Sequence, residues 1–180
     1  MAFDARAVAN LILDLAAADG REVSNLVLQK LVYFAHGRYL SESRSPLVFG
    51  EFEAWQYGPV HPHVYSAFQD HGKAAIKTRA ESVDPVSGTR KPIPPITDPY
   101  ALSVIEAVYS SLRSRSPSNL VAVSHAKNAP WRFVVDRAGR RESISLRIPN
   151  EIIRERFRHH AISLSGDKEG DIPDENTPFA

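Results

Sequence analysis

Cysteine is absent from all 180 residues, which excludes disulfides, thiolate nucleophiles and sulfur-ligated metals. Glycine-rich phosphate loops, dinucleotide turns, Gly-x-Ser-x-Gly elbows and His-Glu-x-x-His helices are absent too. The common signatures of nucleotide, serine-hydrolase and zinc chemistry are therefore missing. Strong net charge is lacking: the chain carries +1 with 24% charged residues, so overall electrostatics do not announce a polyanion partner. The first apolar run, from Ala7 to Ala18, is interrupted by Asn10 and Asp14 and has no basic leader before it. It reads as a helix of a water-soluble protein, not a signal peptide or a membrane span, and the expected location is the cytoplasm.

What is present suits one compact domain: 180 residues with 43% hydrophobic content fall within the usual domain size of ~100–200 residues. Charge divides along the chain. Residues 161–180 hold five acids (Asp167, Glu169, Asp171, Asp174, Glu175) against Lys168, so residues 1–160 carry +5. The domain is expected to end near residue 160, and 161–180 read as an acidic, flexible segment without apolar periodicity.

Helix signals dominate. Asp4 caps a helix to about Ala18, with Val8, Leu11, Ile12 and Leu15 on one face. Ser24 starts a second to about Leu40, in which Gly37 costs about 1 kcal/mol of propensity and leaves room for a close neighbour. Pro62, Pro99 and Pro117 stand at first helical positions, and Asn150 or Pro149 opens a last helix. Phe52 to Trp55 reads as extended, and Gly58-Pro59 as the break that ends it. Residues 73–96 read as a surface connection with room for a ragged β pair. Phe133 to Val135 and Ile144 to Ile148 read as two short strands paired across Ala138-Gly139-Arg140. The expected fold is mainly α, a single helical domain with small β elements, α+β in the broad sense.

Chemistry-bearing clusters are few. His61-Pro62-His63 needs further converging ligands to hold a metal. Ser124 and His125 are adjacent, and neighbours on a helix point about 100° apart, poor geometry for a dyad. Neither cofactor nor metal is expected, and no enzyme activity. Five arginines between Arg132 and Arg147, followed by Arg154, Arg156 and Arg158, form either a phosphate-facing patch, a solvated face or a seat for the chain's own acidic segment. Aromatics are numerous: Tyr33, Phe34, Trp55, Tyr57, Tyr65, Phe68 and Trp131 are mostly core, yet Trp and Tyr also anchor interfaces. Gln29, Lys30 and Gln56 are their polar neighbours.

Four stretches in consistent order carry a resemblance. They are LQKLVYFAHGRYL (Leu28 to Leu40), FEAWQYGPVHPHVYSAF (Phe52 to Phe68), and SHAKNAPW (Ser124 to Trp131) followed by IPNEII (Ile148 to Ile153). With them the chain resembles the Panacea-domain family, the SocA-type antitoxins also described as phage-associated GepA-like proteins. The resemblance implies an antitoxin that neutralises a cognate toxin, encoded next door, by direct contact. It carries over no enzyme chemistry. Tyr33, His36, Trp55, Tyr57, His63 and Trp131 are the expected toxin-binding residues. A cytoplasmic protease acting on one of the two proteins is a further expected partner; a membrane is not. Tyr57 to Val60 is expected to be a rigid turn seating the third helix. A nucleic-acid-binding regulator using the C-terminal arginines is the alternative.

Overall fold

Four of the described α-helices begin where the sequence supplies an oxygen cap. The computed structural model describes residues 2–139 and 146–160. In it the Asp4 carboxylate accepts from the Arg6 N–H and opens α1 (Ala5–Ala18). Ser24 caps α2 (Asn25–Ser43), three residues longer than the periodicity predicts. Asp98 accepts from the Ala101 N–H at 2.7 Å to start α4 (Pro99–Leu112), and Ser116 from the Asn119 N–H at 3.2 Å to start α5 (Pro117–Ser124). Such caps each stabilise by ~1 kcal/mol. Proline at the first helical position opens α3 (Pro62–Phe68), α4, α5 and α6 (Pro130–Ala138).

Helix α2 is the axis of the core. It packs against α1, α3, α4, α5 and against α7 (Asn150–Arg156), so it is buried on nearly every side. A helix covered all round shows no polar face, which is why Lys30, Gln29 and His36 lie inside with Leu28, Leu31 and Val32. Gly37 serves the close approach its sequence position suggests: the Phe157 ring lies where a β-carbon would stand.

Strand β1 (Phe52–Trp55) is central in a three-stranded antiparallel sheet, flanked by β2 (Gly58–Val60) and β5 (Arg147–Ile148). Trp55 faces Gly58 and Ala54 faces Pro59 across the hairpin, while Phe52 pairs with Ile148. Strands β3 (Glu81–Val83) and β4 (Arg90–Pro92) form the exposed pair anticipated within residues 73–96.

Two readings are corrected. Gly58 to Val60 is a strand, not a turn; the reversal is made by Gln56 and Tyr57 alone. Pro59 is compatible with this because β2 is an edge strand and needs no ladder donor there. Phe133 to Val135 is helical, within α6, and Arg147–Ile148 pairs with β1 instead. The Ala129-Pro130 start and the spacing of Trp131, Val134 and Val135 outweigh the β propensity of Phe-Val-Val. Ile144, Arg140, Arg141 and the acidic segment 161–180 lie outside the described residues. The fold is mainly α with small antiparallel β elements.

Candidate partner-binding site

The polar residues of α2 hold the hairpin from beneath. Lys30 is fully buried, and its Nζ donates to the Pro59 carbonyl at 3.2 Å. Gln29 accepts the His61 N–H at 2.9 Å and donates to Asn25 Oδ1 at 3.4 Å. These contacts satisfy edge-strand groups that the ladder leaves over. Gly58 is tight against the same place: a β-carbon there would lie 2.4 Å from Ser124 Oγ and 3.0 Å from Lys30 Cε. The His61 ring completes the clamp, Nε2 donating to the Phe49 carbonyl at 2.9 Å, and burial lowers its pKa.

Above this floor the hairpin presents aromatics. The Trp55 ring is 4.6 Å from that of Tyr65 on α3, and its Nε1–H donates to Glu53 Oε2 at 2.8 Å. Tyr57 sits on the reversal beside them. The recess among Leu26, Lys30, Trp55, Tyr57 and Tyr65 has a volume of about 20 Å³. Small-molecule sites run to ~300–1,000 Å³, so this is a contact face rather than a ligand cavity. Trp131 supports it from inside, its Nε1–H donating to the Trp55 carbonyl at 2.8 Å while its ring stacks on His125 at 3.7 Å. Burial pulls His125 down to about 4, and the positive charge of Lys30 acts in the same direction.

The other expected site residues are dispersed. Tyr33 is fully buried, edge-on to Phe52 at 5.3 Å, with its hydroxyl 3.0 Å from His160 Nε2; burial raises its phenol well above the ordinary value. His36 is also fully buried. Its Nδ1 accepts the Val48 N–H at 3.4 Å and its Nε2 donates to Asn150 Oδ1 at 2.9 Å, which fixes the neutral tautomer. Burial pulls its pKa to about 4. Tyr33, His36 and Trp131 thus build the core under the face and offer a partner almost no surface. His63 is exposed but lines a different recess, with Glu53 and Arg147. Tyr65, which the sequence counts among the mostly core aromatics, is instead half-exposed and belongs with Trp55 and Tyr57.

Ser124 Oγ donates to the Val121 carbonyl at 2.8 Å, not to His125. Among the described residues no three His, Asp or Glu side chains converge on a metal position. Nor is any helix among them long and apolar enough to cross a membrane. Arg132 and Arg147, from the arginine-rich stretch, are engaged by Asp136 and Glu51 at 3.1 and 3.3 Å.

Fold and face together define a class: a mainly helical protein with small β elements that offers an aromatic surface. The family model for the SocA-like antitoxin, Panacea domain matches residues 28–132, from α2 through the hairpin to Trp131. A curated relative, Antitoxin SocA of Caulobacter vibrioides (strain NA1000 / CB15N), is 47% identical over 162 residues, covering 90% of this chain and 86% of that protein. No solved structure matches the chain. The chain belongs to the Panacea-domain family of SocA-like antitoxins.

Proposed function

We propose that this protein is a non-enzymatic antitoxin that binds a cognate protein toxin and covers its working surface. Membership of an antitoxin family supports the role. The observation that carries the mechanism is the Trp55–Tyr57–Tyr65 face. It is rigidly backed by Lys30, Gln29 and Trp131, and it falls inside the family match. Rigid aromatics bury large area at low entropic cost, which is what an occluding contact needs. Glu53 supplies a charged rim beside Trp55.

The same reading includes a cytoplasmic protease acting on the antitoxin–toxin pair. Its test is whether such a protease degrades either purified partner faster in the complex than alone. Equal rates remove this step and leave occlusion standing.

Co-expression with the adjacent gene tests the main reading. Expressed alone the neighbour should arrest growth. With this protein present growth should recover, and the two should purify together. A harmless neighbour with no recovered complex overturns the antitoxin reading.

A further inference from the structure

At the C-terminal end of α2 lies a second, electrostatically different surface. Ser41 and Arg44 on one side, and Arg154, Arg156, Arg158 and His159 on the other, line an open groove of about 780 Å³. Among the described residues Glu155 is the only acid lining it. Arg156 is occupied, its guanidinium 3.5 Å from the centre of the Phe133 ring. The side chains of Arg44, Arg154 and Arg158 have no hydrogen-bond or ion-pair partner among the described residues. This is unusual for the molecule. Arg6, Arg38, Arg79, Arg113, Arg132 and Arg147 each meet a carboxylate.

We infer that this groove is the docking surface of an acidic peptide, and that its resident occupant is residues 161–180 of the same chain. The described chain leaves off at His160, next to His159 on the groove wall. The exit is anchored, because the His160 ring packs 5.2 Å from Phe34 and 5.1 Å from Phe157. Asp167 follows His160 by seven residues, a reach of at most about 25 Å when extended. From there five acids oppose one lysine, against four arginines and one glutamate in the groove. Exposed ion pairs are individually weak. A tether, however, holds the acidic segment at an effective concentration of the order of mM, so weak pairs suffice for intramolecular occupancy. An untethered polyanion, including a nucleic-acid backbone, has to displace that segment. This inference stands apart from the antitoxin reading and does not depend on it.

The absence of native cysteine makes the test direct. A nitroxide label on Asn176→Cys in the full chain reports which backbone amides the acidic segment visits. Amides of residues 41–44 and 154–159 should lose most of their signal in the labelled protein and regain it after reduction of the label. The loss should vanish when Arg154→Glu and Arg158→Glu are introduced together. Both positions are exposed, and circular dichroism should be unchanged. Neutralising Asp167→Asn, Glu169→Gln and Asp171→Asn should give the same release without touching the groove. Raising salt from about 0.05 to about 0.5 M should weaken the pattern as screening shortens. Broadening spread evenly over the surface, or a pattern unchanged by both charge variants, overturns the inference.

Discussion

Gly37 and Phe157 share one volume: a β-carbon on Gly37 would stand 2.1 Å from the edge of the Phe157 ring. The ring cannot swing aside freely, because Tyr33, Phe34 and His160 pack around it at 6.3, 6.3 and 5.1 Å. Alanine would gain about 1 kcal/mol of helix propensity, but overpacking costs roughly 1–3 kcal/mol. Gly37→Ala should therefore destabilise by up to about 2 kcal/mol in urea unfolding. In a Phe157→Ala background the same change should be close to neutral or stabilising. An equal cost in both backgrounds would remove Phe157 as the cause.

Gly58 is constrained twice. Its φ is +103°, and a side chain there would meet Ser124 Oγ and Lys30. Gly58→Ala should lose more than about 2 kcal/mol, the strain and the contact acting together. Adding Ser124→Gly should recover only the part of the steric cost that Ser124 Oγ imposes. Full recovery in the double variant would show that backbone strain contributes little.

Acid should loosen the fold in a defined window. His36, His125 and His160 are each pulled by burial from 6.5 to about 4. Below 6.5 the unfolded chain takes up protons that the folded chain refuses until about 4. Stability is thus fully present above 6.5 and lost as pH falls towards 4. At His36 burial is the main cause, and the geometry agrees with it, because Nδ1 already accepts the Val48 N–H and a proton there would oppose that bond. Urea midpoints between about pH 7 and 4.5 should fall, and His36→Gln should flatten the slope. A midpoint independent of pH would refute this.

Binding should separate from stability at the hairpin. Trp55→Ala and Tyr57→Ala should each weaken toxin capture by about 2 kcal/mol, roughly thirty-fold, as central aromatic anchors do. Tyr33→Phe changes a buried hydroxyl and should leave capture unaltered while lowering stability by about 1 kcal/mol. Calorimetric titration with the purified toxin distinguishes the two. Undiminished affinity in both hairpin variants would move the interface elsewhere.

Local chemistry was the legible part of this fold. Asp4, Ser24, Asp98-Pro99 and Ser116-Pro117 signal helix starts because caps act within three residues of themselves. The misread parts are those decided at a distance. Phe133-Val134-Val135 has strand propensity, and the packing of α6 against β1, β5 and α7 joins the Pro130 start in ruling a strand out. Gly58-Pro59 has the composition of a break, and only its place on a sheet edge makes it a strand. The candidate site divides in the same way. Trp55 alternates with the buried Phe52 and Ala54 along β1, so its half-exposure follows from strand period, and Tyr57 stands on the reversal beside it. Tyr33 and His36 sit on a helix that other helices enclose on all sides, and no pattern within α2 reports that enclosure.

The antiparallel pairing of Phe52 with Ile148 also sets an order of events during synthesis. Helix α2 and the hairpin emerge from the ribosome about ninety residues before the segment that covers them. Until β5 and α7 follow, Tyr33, Phe34 and Phe52 stand open to water with no late-arriving Phe157 to fill the notch at Gly37. Closure by β5 and α7 therefore rests on long-range contacts, the kind that are slow to form. A chain broken off before residue 147 carries an uncovered aromatic helix, the kind of surface that chaperones and quality-control proteases engage.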